Sequence, residues 1–302
     1  MSIQTVLGPV APADWGVTAI HEHLFLDLTP WRGDTDTPLI DLDLVAAEVG
    51  DFVEAGGRAI VEVSSLGMGR DVAKLVAVAQ RTGCQIVAAT GFYHGRWLPP
   101  LVRETEPAAL AELMTRELTV GMDRTAVRAG LIAEIGTSKG EILPDEAKVF
   151  RAAALAQRQT GCPIMTHASG GTLAREQVRL LADGGADLAK VSISHLDLVD
   201  DVEYHVEVAR TGAFVQYDTI GKEQYQSDAV RLRLTLELID RGWANHLMLA
   251  CDISRSAYLR REGGIGYAYL LTQFVPKLRQ AGVEETTLHT ILVENPRRFL
   301  AY

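Results

Sequence analysis

Short apolar runs rich in β-branched residues recur along the chain and predict β-strands. Between most of them, apolar residues recur at helical spacing, and several of these segments end at a glycine such as Gly83, Gly161 or Gly212, as helices commonly do. The predicted strands cover residues 18–24, 59–64, 86–90, 130–135, 163–167, 190–195, 213–217 and 247–251. Strand and helix therefore alternate from one end of the chain to the other.

Eight strand–helix units in 302 residues suit a closed barrel of about 250 residues with extensions better than an open sheet. No Gly-x-Gly-x-x-Gly follows an early strand, so a dinucleotide-binding fold lacks support. We therefore predict an α/β fold, a (β/α)8 or TIM barrel, as a single domain over residues 1–302. Residues 91–107 form the longest irregular stretch, typical of a functional loop or lid, and residues 283–302 predict a final helix and a cap.

Composition narrows the class of protein and its partners. A formal net charge of −10 without a cluster of basic residues argues against nucleic acid and anionic membranes as partners. The odd, scattered cysteines Cys84, Cys162 and Cys251 predict neither a disulfide framework nor a zinc knuckle. The N-terminus has no basic leader, and no apolar run reaches the roughly 18 residues of a membrane span. We expect a cytoplasmic protein whose partner is a small molecule.

Candidate chemistry lies where the predicted strands end. Side chains on a strand alternate between its faces, so His21 and His23 share one face and Glu22 the other. Further imidazoles and carboxylates fall at or just after the ends of later strands, namely Glu134, His167, His195 and Asp252. Because the carboxyl ends of barrel strands converge on one face, we expect all of these except Glu22 to meet there.

Six such side chains in one place favour metal ions. A lone histidine at a strand end is more often a satisfied polar residue than a ligand. A set of buried imidazoles and carboxylates is costly, however, unless something compensates its charge. Four histidines with two carboxylates suit two divalent ions, zinc by preference. The predicted ligands are His21, His23, Glu134, His167, His195 and Asp252.

The residues that surround these ligands carry a family resemblance. The segment Gly16-Val17-Thr18-Ala19-Ile20-His21-Glu22-His23-Leu24 resembles the first-strand signature of the phosphotriesterase family in the amidohydrolase superfamily. The likeness continues through residues 129–138, 166–167, 194–197, 218–222, 252 and 294–296, so it covers effectively the whole chain. It implies that His21, His23 and Asp252 hold the more buried metal, that His167 and His195 hold the more exposed one, and that Glu134 bridges them.

The predicted bridging residue differs from the one that some members of that family use. Phosphotriesterases proper and related lactonases use a carboxylated lysine in the fourth strand, where this chain has Ala133 and Glu134. Adjacent strand residues face opposite sides, so only one of the two points inward. We predict that it is Glu134, whose carboxylate imitates the lysine carbamate, as in the phosphotriesterase-homology branch. This departure argues against phosphotriesterase activity proper.

The predicted mechanism follows from the charges. Two dications lower the pKa of a bridging water toward neutrality and so supply a hydroxide nucleophile. Asp252, the predicted catalytic residue, accepts the proton of the attacking water and passes it to the leaving group. Hydrogen bonds to the far ring nitrogens are expected to fix the imidazole tautomers.

Residues just beyond the seventh and eighth strands predict recognition of an anion. Lys222, Arg255 and Tyr258 offer two cations and a phenol, a set that can clamp a phosphate or a carboxylate. Arg260 and Arg261 continue the same run and are expected to be solvated. Related proteins that hydrolyse lactones of phosphorylated sugars look similar here. The leading substrate is therefore a lactone or ester of an anionic, phosphorylated sugar-type molecule.

The loop after the third strand offers further contacts. Tyr93 and His94, together with Trp97, are predicted to orient a substrate or to form an apolar lid. Three other histidines are left out of the site, because His205 and His289 lie in helical patterns and His246 precedes the eighth strand.

Other functions remain open at the level of sequence. The same hydroxide can attack a phosphoester, a phosphotriester or an amide, and a metal-containing barrel can bind a ligand without turnover. A metal-free aldolase is disfavoured, because its Schiff base requires a strand lysine and Lys190 begins its strand at the wrong end. The resemblance suggests a homodimer.

Overall fold

The computed structural model describes residues 1–33 and 38–302. Its central feature is a sheet of eight strands, preceded by the antiparallel pair β1 (Ile3–Thr5) and β2 (Gly8–Val10). The eight strands are β3 (Thr18–Glu22), β4 (Ala59–Glu62), β5 (Gln85–Thr90), β6 (Leu131–Thr137), β7 (Ile164–Ala168), β8 (Val191–Ser194), β9 (Phe214–Tyr217) and β10 (Leu247–Leu249).

The sheet closes on itself. Its neighbouring strands run parallel in chain order from β3 to β10. The backbone N–H of His23 donates to the carbonyl of Ile253 at 3.2 Å, and that of Asp252 donates to the carbonyl of His21 at 3.1 Å. These bonds join the first barrel strand to the chain after the last one. The predicted (β/α)8 barrel is confirmed.

Helices connect the strands on the outside of the barrel. Their boundaries follow from capping: Asp41 accepts hydrogen bonds from two backbone N–H groups of the second helix, and Gly83 and Gly161 end two others in the left-handed conformation. The helices are α1 (Thr29–Arg32), α2 (Leu42–Glu54), α3 (Val72–Thr82), α4 (Pro100–Glu104), α5 (Pro107–Thr119), α6 (Pro144–Thr160), α7 (Ala174–Asp183), α8 (Val202–Arg210), α9 (Asp228–Asp240), α10 (Val275–Gln280), α11 (Glu285–His289) and α12 (Asn295–Leu300).

Two stretches carry detail that the sequence did not predict. Residues 91–107 are not wholly irregular, since they contain a 3₁₀ turn at Gly95–Trp97 and the short helix α4. The tail is helical over residues 285–300, as predicted, and it contains a π-helical segment at Thr290–Glu294 between α11 and α12. Tyr302 and Ser2 then exchange two backbone hydrogen bonds of 3.0 and 3.1 Å, which tie the two ends of the chain together.

The core has the two layers expected of a barrel. Strand residues such as Ile60, Val87 and Ile193 are fully buried, and helix residues such as Leu75 and Phe150 pack against the outside of the sheet. Among the described residues, no helix combines the length and the apolar character needed to cross a bilayer.

Candidate metal centre and substrate cavity

The six predicted ligands meet at the carboxyl end of the barrel, as the strand ends require. Three lie within strands, with His21 on β3, Glu134 on β6 and His167 on β7, whereas His23, His195 and Asp252 directly follow strands or lie just beyond them. Four of them, His23, Glu134, His195 and Asp252, are only 1 to 13% exposed and line the same cavity as His167.

Glu134 lies at the centre of the group. Its Oε2 is 3.1 Å from Nε2 of His21, 3.0 Å from Nδ1 of His167 and 3.4 Å from Nε2 of His195. Its Oε1 faces His23, whose Nε2 is 3.9 Å away. Burial by itself raises the pKa of Glu134, but the imidazoles of His167 and His21 outweigh it and hold the pKa well below its usual value. An inward Glu134 is the arrangement that the bridging role requires.

Asp252 approaches the same histidines from the other side. Its Oδ1 is 3.4 Å from Nε2 of His23 and 3.8 Å from Nε2 of His21, while its Oδ2 accepts a hydrogen bond from the Lys222 ammonium. Burial opposes ionisation of this carboxyl, and the neighbouring Lys222 lowers its pKa below the usual value. The two oxygens of Asp252 therefore face two different cationic or metal-binding groups.

These residues fit divalent metal ions. The ligand-type atoms of His21, Glu134 and His195 lie within 4.8 Å of one another, and so do those of His21, His23 and Asp252. Nε2 of His21 is fully buried between two carboxylates, 3.1 Å from Oε2 of Glu134 and 3.8 Å from Oδ1 of Asp252, and no contact among the described residues gives it a hydrogen bond of good geometry. An unsatisfied buried nitrogen is costly, and an ion coordinated at this nitrogen would remove that cost. Imidazole and carboxylate donors are those that zinc and similar ions prefer.

His167 falls outside both of these groups. Its Nδ1 is 2.7 Å from Nε2 of His195 and 3.0 Å from Oε2 of Glu134, so it borders the group that contains both residues. The division of the six ligands between two ions stays a prediction, and so does the catalytic role of Asp252.

The Asp218 carboxylate lies next to Nδ1 of two of the imidazoles, on the side away from the centre of the site. Its Oδ1 accepts from the backbone N–H of His195 at 2.9 Å and lies 2.7 Å from Nδ1 of the same residue. Its Oδ2 is 3.2 Å from Nδ1 of His21. Burial lowers the pKa of His195, but the Asp218 carboxylate outweighs burial and raises that pKa to about 10. With Nδ1 engaged by Asp218, both rings present Nε2 to the centre of the site.

Hydroxyl and amide groups also contact the Nδ1 atoms of these histidines, and together with Asp218 they form an outer layer around the ligands. Nδ1 of His23 lies 2.8 Å from the Ser64 hydroxyl, and Nδ1 of His21 lies 3.1 Å from that of Ser194 and 3.2 Å from Oε1 of Gln216. The sequence predicted partners of this kind without identifying them. Asp218 and Ser194 lie in segments that carry the family resemblance, which is the signal that could have found them.

Glu22 supports the site from the opposite face of β3, as strand alternation predicts. Its carboxylate accepts from the backbone N–H groups of Cys251 and Ile253, both at 2.8 Å. Asp252 lies between these two residues and has a φ of +49°, a conformation that residues other than glycine rarely adopt. The two hydrogen bonds help to hold Asp252 in that conformation, and burial raises the pKa of Glu22 to about 8.

A buried arginine orders the segment after β9. The Arg231 guanidinium donates to Asp197 Oδ2 at 2.7 Å, to the Thr219 hydroxyl at 2.8 Å and to the carbonyl of Lys222 at 3.2 Å. Asp197 also accepts from the backbone N–H of Asp218 at 3.2 Å. This network fixes the stretch that carries both Asp218 and Lys222, and no pattern in the sequence pointed to Arg231.

Above the metal-binding side chains lies a cavity of about 300 Å³. Its wall carries three cationic residues, Lys139, Lys222 and Arg255, and two tyrosines, Tyr93 and Tyr225. Lys139 was not predicted as a site residue. It follows the fourth barrel strand much as Lys222 follows the seventh, and that position is the signal that could have found it.

Tyr258 and His94 lie one layer behind the cavity wall. The ammonium of Lys222 is 4.9 Å from the centre of the Tyr258 ring, and the Tyr258 hydroxyl is 3.1 Å from that of Tyr225. The His94 ring stacks on His167, with centroids 4.6 Å apart and planes 15° from parallel. Neither is among the described residues that line the cavity, so their direct contact with a substrate stays a prediction.

Comparison with known proteins gives a consistent result. The model of the phosphotriesterase family matches residues 1–300. The chain is 42% identical to the phosphotriesterase homology protein of Escherichia coli, over 94% of this chain and 97% of that protein. It is 32% identical to the N-acetyltaurine hydrolase of Rattus norvegicus, over 99% and 98% of the two chains.

Solved structures agree with these sequence matches. A lactonase from Listeria monocytogenes superposes with a TM-score of 0.95 at 30% identity, over 100% of this chain and 99% of that one. The structure of the Escherichia coli phosphotriesterase homology protein, with phosphate in its active site, superposes with a TM-score of 0.93 and covers 94% of this chain and 98% of that one.

Proposed function

We infer that this chain, which belongs to the phosphotriesterase family, is a cytoplasmic hydrolase that uses two zinc ions to cleave a lactone or carboxyl ester of a small anionic molecule. One observation carries the proposal: four imidazoles and two carboxylates lie at the floor of a cavity whose wall carries three cationic side chains. The floor supplies metal ligands, and the wall supplies recognition of negative charge.

The chemistry divides between the ions and the chain. When bound, two divalent ions would polarise the carbonyl oxygen of the substrate and lower the pKa of a water molecule toward neutrality. Asp252 would accept the proton that the attacking water loses and return it to the leaving oxygen. Its position at the edge of the cavity supports this role, since its side chain is 13% exposed whereas that of Glu134 is 2% exposed.

The anionic substrate follows from the cavity wall. Lys139 lies on the loop after β6, Lys222 on the loop after β9 and Arg255 on the loop after β10. The chain as a whole has a formal net charge of −10. Cations concentrated at a cavity of an acidic protein attract and orient an anionic ligand. The phosphate in the active site of the Escherichia coli relative and the lactonase activity named for the Listeria relative support a phosphorylated lactone.

Amide hydrolysis is the second candidate. The alignments with the N-acetyltaurine hydrolases cover 99% of this chain. N-acetyltaurine, the substrate that gives these proteins their name, contains an amide and a sulfonate. The same cations of the wall would recognise a sulfonate, and the same proton acceptor would serve an amine leaving group.

Metal analysis and a substrate panel test both candidates. The purified protein is expected to contain about two divalent ions per chain and to hydrolyse at least one of three substrates: a phosphorylated sugar lactone, the same lactone without its phosphate, and N-acetyltaurine. Asp252→Asn is expected to lower kcat by about 10²- to 10⁴-fold, as loss of a general base does. A fully metal-loaded protein that cleaves none of these compounds, nor any ester or phosphotriester in a wider panel, would overturn the proposal in favour of ligand binding without turnover.

A further inference from the structure

The loop that carries Arg255 and Tyr258 is built from two short 3₁₀ turns, Ser256–Tyr258 and Arg260–Glu262. Backbone hydrogen bonds within residues 255–266 close these turns, among them the bond from the N–H of Leu259 to the carbonyl of Ser256 at 2.9 Å. The N–H of Tyr258 donates to the carbonyl of Arg255 at 3.0 Å, and the N–H of Gly266 donates to the carbonyl of Tyr258 at 2.9 Å. Bonds within a loop shape its turns but do not fix its position on the barrel, so a contact from another element is needed to keep a recognition residue in place.

Glu48 of α2 supplies that support. Its side chain is buried, and its Oε2 accepts from the backbone N–H of Arg260 at 3.0 Å. Its Oε1 accepts from the backbone N–H and from Nη1 of Arg261, at 2.9 and 3.0 Å. A buried carboxylate is costly unless it is hydrogen-bonded, and these three donors satisfy it. The side chains of Arg260 and Arg261 are exposed, as expected of solvated residues, and they also form ion pairs with Asp51 and Glu48.

Gly266 shows how closely the loop surrounds this carboxylate. A Cβ atom at this position would lie 2.6 Å from Oε2 of Glu48 and 3.0 Å from Cβ of Arg260, and the φ of Gly266 is +70°. Glycine is the residue that fits both the space and the backbone conformation. The loop backbone thus encloses the Glu48 carboxylate from two sides.

The supported turn is directly connected to the predicted anion contacts. Arg260 follows Leu259, which is fully buried, and Leu259 follows Tyr258. The Tyr258 ring lies 4.9 Å from the Lys222 ammonium, and its hydroxyl is 3.1 Å from that of Tyr225. A shift of the turn would move Tyr258 and, with it, the packing around Lys222.

We propose that Glu48 is a positioning residue for substrate recognition: it holds the loop after β10 so that Arg255 and Lys222 bind the anionic group of the substrate. This inference rests on the proposed recognition of an anion by those two residues. Glu48 does not border the cavity among the described residues, so it acts through the loop and does not touch the substrate.

The test compares Glu48→Gln with Asp51→Asn. Asp51 belongs to the same cluster, but its carboxylate accepts from the side chains of Arg260 and Arg261, at 2.5 to 3.1 Å, and from no backbone N–H of this loop among the described residues, so it controls for loss of a charge at this place. In Glu48→Gln, an amide NH₂ replaces one carboxylate oxygen. The NH₂ cannot accept the hydrogen bond that a backbone N–H of the loop donates to Glu48 in the wild type. We expect its KM for a phosphorylated sugar lactone to rise about tenfold, while kcat, metal content and the KM for the lactone without phosphate stay within about twofold of wild type. Asp51→Asn should stay near wild type in all four.

A second readout follows the loop itself. Backbone amide exchange in residues 255–266 should become faster in Glu48→Gln and not in Asp51→Asn, because one of the two backbone donors of the loop loses its acceptor. If exchange is faster and both KM values are unchanged, Glu48 has only a structural role and the inference is overturned. The same holds if both lactones lose affinity equally.

Two further variants keep the inference testable. If Glu48→Gln does not fold, Gly266→Ala places a methyl group against Oε2 of Glu48 and should give the same selective rise in KM; an unchanged KM would overturn the inference. Arg255→Ala, measured in parallel, separates the two proposals. No effect of Arg255→Ala on the phosphorylated lactone would refute anion recognition at this wall, whereas an effect of Arg255→Ala without one of Glu48→Gln would refute only the role of Glu48.

Discussion

The floor of the cavity, formed by the six predicted ligands, and its exposed rim, formed by Lys139 and Tyr225, differ in how their side chains are held. On the floor, His21, Glu134 and His195 are 0 to 3% exposed, and they lie on or directly after strands. On the rim, Lys139 is exposed and Tyr225 is 53% exposed, and both lie on loops. The imidazoles of His21 and His195 have hydrogen-bond partners on the side away from the cavity, whereas the side chains of Lys139 and Tyr225 are long and border solvent.

The difference shows which part of the molecule sets the reaction and which sets the substrate. Groups fixed by strands and buried partners lose little entropy when they bind an ion. Groups on loops can be exchanged without disturbing the barrel, because loops tolerate changes that strands do not. We therefore expect changes on the floor to abolish the chemistry and changes on the rim to alter the affinity for particular substrates.

The largest effect is expected on the floor, for Glu134→Ala. The variant removes the carboxylate that lies within 3.0 to 3.9 Å of four imidazoles. Metal content should fall from about two ions per chain to one or none, and kcat should fall by on the order of a thousandfold or more. Elemental analysis and steady-state kinetics measure the two. Glu141→Ala, at an exposed residue after the same strand, is the matched control. Full metal loading in Glu134→Ala would remove the main distinction between floor and rim.

Asp218→Asn is expected to have the next largest effect. The amide can no longer accept from both His195 and His21, so one imidazole loses its orientation. Loss of such a partner typically weakens metal affinity or activity by about 10- to 100-fold. Competition with a chelator gives the affinity, and Asp240→Asn, at the exposed end of α9, serves as the control. Wild-type affinity and kcat in Asp218→Asn would mean that the floor does not depend on its outer layer.

The sequence predicted the floor because its signals are local. Alternation along β3 places His21 and His23 on one face, and any parallel barrel brings the ends of its strands together. The family resemblance added the preference for Glu134 over Ala133, which periodicity alone could not decide. The predictions of the family and of a hydrolase are both confirmed by the comparisons.

What the sequence missed depends on contacts between distant segments. Asp218 lies in a segment that resembles the family, but nothing local shows that its two oxygens serve two different histidines. Glu48 lies in a helical pattern and contacts a loop 212 positions away. The last strand ends at Leu249 rather than at residue 251, because the N–H of Cys251 bonds to Glu22 and that of Asp252 bonds to the carbonyl of His21 across the seam of the barrel.

On the rim, a smaller and selective effect is expected for Lys139→Ala. Its ammonium lines the cavity but is exposed, so water and salt weaken its attraction for an anion. The KM for a phosphorylated lactone should rise about threefold with kcat unchanged, and the rise should shrink at high ionic strength. Arg179→Ala, which removes an exposed cation on α7, is the control. An equal rise for the lactone without phosphate would show that Lys139 does not recognise charge.

The smallest effect on activity is expected outside the cavity, at His205. This imidazole is buried like those of the floor, but the neighbour of its Nδ1 is the uncharged hydroxyl of Tyr217, at 2.6 Å. Burial therefore lowers the pKa of His205 to about 4, whereas carboxylates raise that of His195. A histidine with a lowered pKa contributes stability above its unfolded pKa of about 6.5 and loses it as the pH falls toward 4.

The variant His205→Gln tests this contrast. It keeps a polar group near Tyr217 but cannot take up a proton, so it should leave kcat at neutral pH unchanged. The wild-type chain should lose about 2 kcal/mol more of its free energy of unfolding between pH 7 and pH 5 than the variant does. Denaturant unfolding of both proteins with a chelator present keeps metal release out of the comparison. Equal losses in the two proteins would mean that His205 is accessible to protons in the folded state, and that burial without a carboxylate partner does not keep an imidazole of this barrel neutral.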